Sequence, residues 1–86
     1  MDLRQVFAAN LSRIRHAKGL SQEDLAYEAD VNRTYMSKLE KGTSYAGLEI
    51  IGKLATVLGV EPAELLKLPP KKGRAVDKRG QRRLRL

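Results

Sequence analysis

Apolar residues recur along the chain at helical spacing, and most of the resulting stretches are closed by a residue suited to stopping a helix. Phe7, Leu11 and Ile14 trace one face of a helix over Leu3 to Lys18, with Gly19 as its left-handed stop and Leu20 pinning the connection into the core. A second helix begins at Gln22. Its preceding Ser21 can accept from an orphan amide in a capping box with Asp24, while Glu23 and Asp24 suit the positive end of the helix dipole. Leu25, Ala26 and Ala29 form its narrow stripe, and Ala26 is small enough to let another helix cross closely. That helix ends near Ala29. Asp30 tolerates the left-handed turn conformation, Val31 anchors the turn in the core, and Asn32 caps a third helix. In this helix Met36 and Leu39 face inward, leaving Arg33, Thr34, Ser37 and Lys38 outside. A small polar loop containing Tyr45 follows from Gly42 to Gly47. Leu48, Ile51, Leu54, Ala55 and Leu58 then mark a fourth helix stopped by Gly59, and Val60 with Glu61-Pro62 opens a short fifth that ends near Leu66. The pattern predicts an all-α fold: a compact five-helix bundle with a helix-turn-helix at its centre.

Pro69-Pro70 stops further helix, and KKGRAVDKRGQRRLRL has too few apolar residues to build a core. We therefore expect a domain over residues 1–68 and a basic, disordered tail over 69–86. Charge divides the same way. The chain carries +7 overall, yet residues 1–66 hold eight Lys and Arg against nine Asp and Glu, while residues 67–86 hold nine cations against Asp77 alone. The helical part must bind any polyanion by arranging its charges on one side, with Glu23, Asp24 and Glu28 expected away from it.

With 86 residues the chain buries only about 60% of its unfolded surface, so stability is expected to be modest unless it dimerises. No cysteine is present, which excludes a disulfide framework and a thiolate metal site. No apolar run approaches the ~20 residues that span a bilayer and MDLRQVF lacks a secretory apolar region, so a cytoplasmic protein without a membrane partner is expected. An enzyme is not expected. His16 is the sole histidine, beside Arg15 on a charged helix, and neither a glycine-rich phosphate loop nor a metal-ligand cluster is visible; no cofactor is implied.

The run GLSQEDLA, the turn ending at Val31, RTYMSKLEKG and the later LATVLGV with EPAELL resemble the phage-repressor and Cro-like helix-turn-helix family, often called XRE, over roughly residues 3–66. Asp30 stands where many members carry glycine, and Gly47 lies near a common proline position. The RTY-x-S wording is similar to the controller proteins of restriction-modification systems. The resemblance implies a transcription regulator whose third helix enters the major groove of double-stranded DNA. It assigns base reading to Arg33, Thr34 and Lys38, with Ser37 adjacent; arginine and lysine can donate to guanine and the threonine methyl can meet thymine. It assigns phosphate contact to Gln22 at the start of the second helix, and to Lys41, Thr43, Ser44 and Tyr45 around the following loop. Tyr35 can reach phosphate through its hydroxyl or pack its ring at the domain edge. Arg15 and Glu40 match a pair that bridges the first helix to the end of the third.

One recognition helix covers only a few base pairs, so a homodimer on an inverted repeat is expected, with Val60, Leu65 and Leu66 offering its interface. The tail can add phosphate contacts, or it can serve a protein partner. The latter would suit a different class of protein, an antitoxin whose DNA binding is a secondary, autoregulatory activity. RNA is a poorer fit, since three Tyr and one Phe offer few stacking platforms for unpaired bases.

Overall fold

In the computed structural model, residues 1–68 are described; residues 69–86, on which the expectations for the tail fall, lie outside the described residues. The chain forms α1 (Leu3–Ala17), α2 (Gln22–Glu28), α3 (Arg33–Lys41), α4 (Leu48–Leu58) and a closing 3-10 helix (Pro62–Leu66), with no strand among the described residues. Local rules account for the boundaries. Ser21 accepts from the Asp24 amide at 2.9 Å, and Asn32 accepts from the amides of Thr34 and Tyr35 at 2.8 and 3.2 Å. Asp30 adopts the left-handed conformation with φ 57°. One cap escapes the periodicity argument. Asp2 accepts from the Arg4 amide at 2.9 Å, and the guanidinium and amide of Arg4 hold its carboxyl below the usual carboxylate range.

The core is a single cluster that draws on every element. Phe7, Leu11 and Ile14 of α1 meet Leu25, Ala26 and Ala29 of α2, Met36 and Leu39 of α3, and Ile51, Leu54, Ala55 and Leu58 of α4. Leu65 closes it from the 3-10 helix and has no exposed surface.

Two expectations change here. The fifth element is a single 3-10 segment, not an α-helix, so the described fold has four α-helices. Its carbonyls are captured from outside: Asn10, buried on α1, donates to the Leu65 carbonyl at 3.1 Å and the Lys67 carbonyl at 2.8 Å. With those oxygens bound by a side chain, the segment satisfies its backbone without an α-helical ladder. Leu48 is the second case, being 87% exposed although it lies on the apolar stripe of α4. Standing at the first residue of α4, it reaches past the end of the core.

Gly42, buried at the end of α3, meets two demands at once. Its φ is +77°, and a Cβ there would come within 2.8 Å of Gln5 Cδ, from which the Gln5 amide donates to the Gly42 carbonyl at 3.3 Å. Gly19 has a similar φ, +74°, with open space around it. Alanine at either position bears the left-handed cost of about 1–2 kcal/mol. Gly42→Ala should also displace Gln5, and so lower the melting temperature further than Gly19→Ala in thermal denaturation. Equal shifts would show that the Gln5 contact contributes nothing.

Candidate nucleic-acid interface

The helix-turn-helix is positioned by a buried ion pair. Arg15, near the end of α1, places its Nε on Glu40 Oε2 and its Nη2 on Glu40 Oε1 at 3.0 Å, a side-on bidentate pair whose side chains are 9% and 5% exposed. Arg15 Nη1 donates to the Leu20 carbonyl at 2.7 Å, and Gln22 Nε2 donates to Glu40 Oε1 at 3.2 Å. The end of α1, the α1–α2 connection, the start of α2 and the end of α3 therefore converge on one carboxylate. Such a pair tolerates little movement, because each ion has given up its water and is satisfied only in this geometry.

Beside that network Gln22, Arg33, Thr34, Ser37, Lys38 and Lys41 line one shallow hollow on the outer side of α3. Arg33, Thr34, Lys38 and Lys41 are exposed, and Ser37 and Gln22 are half-buried. The inward face of α3 consists of Met36 and Leu39, both fully buried. Arg33 also lines a second hollow with Glu23, Asp24, Glu28 and Asp30, a juxtaposition the residue pattern did not show. Glu23 leans toward Arg33, its carboxylate 3.6 Å from the guanidinium, in a pair whose side chains are 67% and 72% exposed. A pair this open is readily exchanged for another anion.

Thr43, Ser44 and Tyr45 lie in the loop after α3, where Thr43 Oγ1 donates to the Lys38 carbonyl at 3.2 Å. The Tyr35 ring packs against the core, and its hydroxyl donates to the Tyr45 carbonyl at 2.7 Å. The interface proposed for a second copy also changes. Leu65 is wholly inside the domain, since the 3-10 helix turns it into the core, and Val60 packs half-buried against the same cluster; of the three, Leu66 alone is exposed, at 39%. Among the described residues no group of three or more His, Asp or Glu stands where it could hold a metal, and no helix is long and apolar enough to cross a membrane.

A capped two-helix unit with its second helix presented by a rigid scaffold, polar and cationic outward, defines a DNA-binding protein of the helix-turn-helix class. A helix-turn-helix family model matches residues 11–65. The chain is 42% identical over 66 residues to control protein C.BamHI of Bacillus amyloliquefaciens, covering 76% of this chain and 82% of that protein. Its structure is similar to the restriction-modification controller protein C.AhdI from Aeromonas hydrophila, with a TM-score of 0.70 and 44% identity over 72% of this chain and 94% of that one. It is also similar to a hypothetical transcription factor from Neisseria, NHTF, with a TM-score of 0.74 and 45% identity over 80% and 78% of the two chains. The chain belongs to the XRE-type helix-turn-helix family, and is a transcriptional regulator related to restriction-modification controller proteins.

Removing one partner of a buried pair strands the other charge, so Glu40→Ala should cost about 3–5 kcal/mol in urea unfolding. The apolar double variant Arg15→Met/Glu40→Leu should regain most of that stability without regaining DNA affinity, if the pair sets the angle of α3. A single-variant loss under about 1 kcal/mol would place the pair in effective contact with solvent.

Proposed function

We propose that the protein is a sequence-specific regulator that binds inverted-repeat operator DNA as a homodimer and controls restriction-modification genes. The observation that carries this reading is the shared hollow of Gln22, Arg33, Thr34, Ser37, Lys38 and Lys41 on a helix held by the Arg15–Glu40 pair. Arg33 and Lys38 donate to guanine edges, the Thr34 methyl contacts thymine, and Ser37 serves either kind of base. Gln22, Lys41, Thr43, Ser44 and Tyr45 hold the flanking phosphates and fix the register of the reading helix. Tyr35 supports this set from within, because its hydroxyl is bound to the loop. The relation to C.BamHI and C.AhdI supports the choice of regulated genes.

A second copy doubles the site read, and two-fold symmetry sets the half-sites about one helical turn, 34–36 Å, apart. Exposed apolar surface supports the face it uses. Leu48, at the start of α4, is 87% exposed, and Leu3 and Leu66 add exposed apolar surface. This face replaces the one that included Leu65.

Selection of bound duplexes from a random pool should recover an inverted repeat, and unrelated recovered sequences would overturn specific reading. With that duplex, Arg33→Ala and Lys38→Ala should each cost about 1–3 kcal/mol and relax preference at a defined base pair, whereas Lys41→Ala should weaken all sequences alike and lower the salt slope by about 1.

The dimer is tested separately. Leu48→Glu should sediment as a monomer while keeping a helical circular dichroism spectrum, because residue 48 contributes nothing to the core. Persistent dimers would move the interface to another face.

A further inference from the structure

A run of contacts outside the reading surface ties the start of α1 to the loop after α3. The Asp2 carboxylate accepts from Arg4 Nε at 3.2 Å and from Arg4 Nη2 at 3.0 Å, in addition to the Arg4 amide. A guanidinium held at two points becomes a fixed plate. That plate lies over the Tyr45 ring, 4.8 Å from its centroid. From the other side the Tyr35 hydroxyl holds the Tyr45 carbonyl. One loop residue is thus gripped by its ring from α1 and by its backbone from α3.

We propose that Arg4 is a positioning residue for DNA binding, which together with the Tyr35 hydroxyl braces the loop of residues 43–46 in the conformation that presents Thr43 and Ser44 to the DNA backbone. This rests on the reading of that loop as a phosphate clamp. Thr43 is tied back to α3 by its hydroxyl and Ala46 packs on the core, so Ser44 and Tyr45 form the span that needs support. A loop ordered before binding loses less conformational freedom on the DNA, so its contacts there are offset by a smaller entropic cost. Arg4 acts here as a bound plate, its guanidinium held by the Asp2 carboxylate at two points. The role needs arginine. A lysine ammonium cannot give a flat face to the ring while forking onto a carboxylate.

The test uses the full chain and two readouts. In the absence of DNA, Arg4→Ala and Tyr35→Phe should each lower the backbone 15N order parameters of residues 44–46 from the rigid level of about 0.85 toward about 0.6. Arg4→Lys should do the same, and Tyr45→Phe, which keeps ring and carbonyl, should leave them at the wild-type level. On the selected inverted-repeat duplex, Arg4→Ala should weaken binding roughly three- to tenfold at an unchanged slope of log affinity against log salt. The double variant with Tyr35→Phe should lose less than the product of the two single losses.

Unchanged order parameters in both Arg4→Ala and Tyr35→Phe would overturn the brace, whatever happens on DNA. A salt slope lower by about 1 in Arg4→Ala would make Arg4 a phosphate ligand and overturn it as well. If the wild-type chain binds no selected duplex, the DNA reading fails on its own, and the order parameters still decide the brace.

Discussion

The arrangement of this domain turns on a carboxylate with almost no water around it. Glu40 receives two guanidinium donors from Arg15 and an amide proton from Gln22, while Arg15 also ties down the Leu20 carbonyl. As a source of stability such a pair is a poor choice, since its Coulombic gain is offset by the desolvation of both ions. Apolar side chains would do that job as well and would allow sliding. What they would not supply is direction. A bidentate fork fixes both distance and rotation, and here it fixes the end of α3 against the end of α1 while orienting the first side chain of α2. The small core, with alanines at 26, 29 and 55, lets the helices approach closely; the ion pair determines where they stop.

That division of labour fits the charge distribution. A domain with about as many acidic as basic residues has no general attraction for a polyanion, so its affinity depends on which cations share a surface. Arg33, Lys38 and Lys41 do so, while Asp24 and Glu28 of α2 border a different hollow, which Arg33 also lines. Glu23 reaches one of these cations. Its contact with Arg33 gives the guanidinium a weak, solvated anionic partner, one that a stronger acceptor can displace.

What could be read from the sequence and what could not separate along physical lines. Helix ends depend on residues two to four apart, so Ser21, Asn32, Asp30 and the stops at Gly19 and Gly59 were legible from local chemistry. The inward stripes of α1, α2 and α3 were legible for the same reason. Leu48 was misjudged because periodicity identifies a face of a helix but not where its neighbours end. Leu65 was misjudged because its surroundings are distant in sequence: its side chain joins a core drawn from every element and its carbonyl accepts from Asn10, fifty-five positions earlier. The Gln5–Gly42 and Tyr35–Tyr45 bonds were invisible on the same grounds, whereas the Asp2 cap was open to the rule that found Ser21. Arg15 and Glu40 are as distant as these pairs, and they were accessible only through the resemblance to a family whose geometry joins them.

Viewed from α3, these long-range polar contacts have a common origin. Arg15 of α1 reaches Glu40 near the end of α3, Gln5 of α1 reaches the Gly42 carbonyl just beyond it, and Arg4 of α1 reaches Tyr45, which Tyr35 links back to the first turn of α3. The first helix therefore acts as a rule laid across the recognition helix, touching it directly near one end and through the loop near the other. A lever held at one point can pivot, and a pivot at Glu40 would displace Arg33 at the other end of α3. Held at two, it can only translate, and translation is opposed by the close packing of Leu11, Leu39 and Met36 in the core. The direction of the reading helix is thus set by polar contacts at its ends and its depth by apolar packing along its middle.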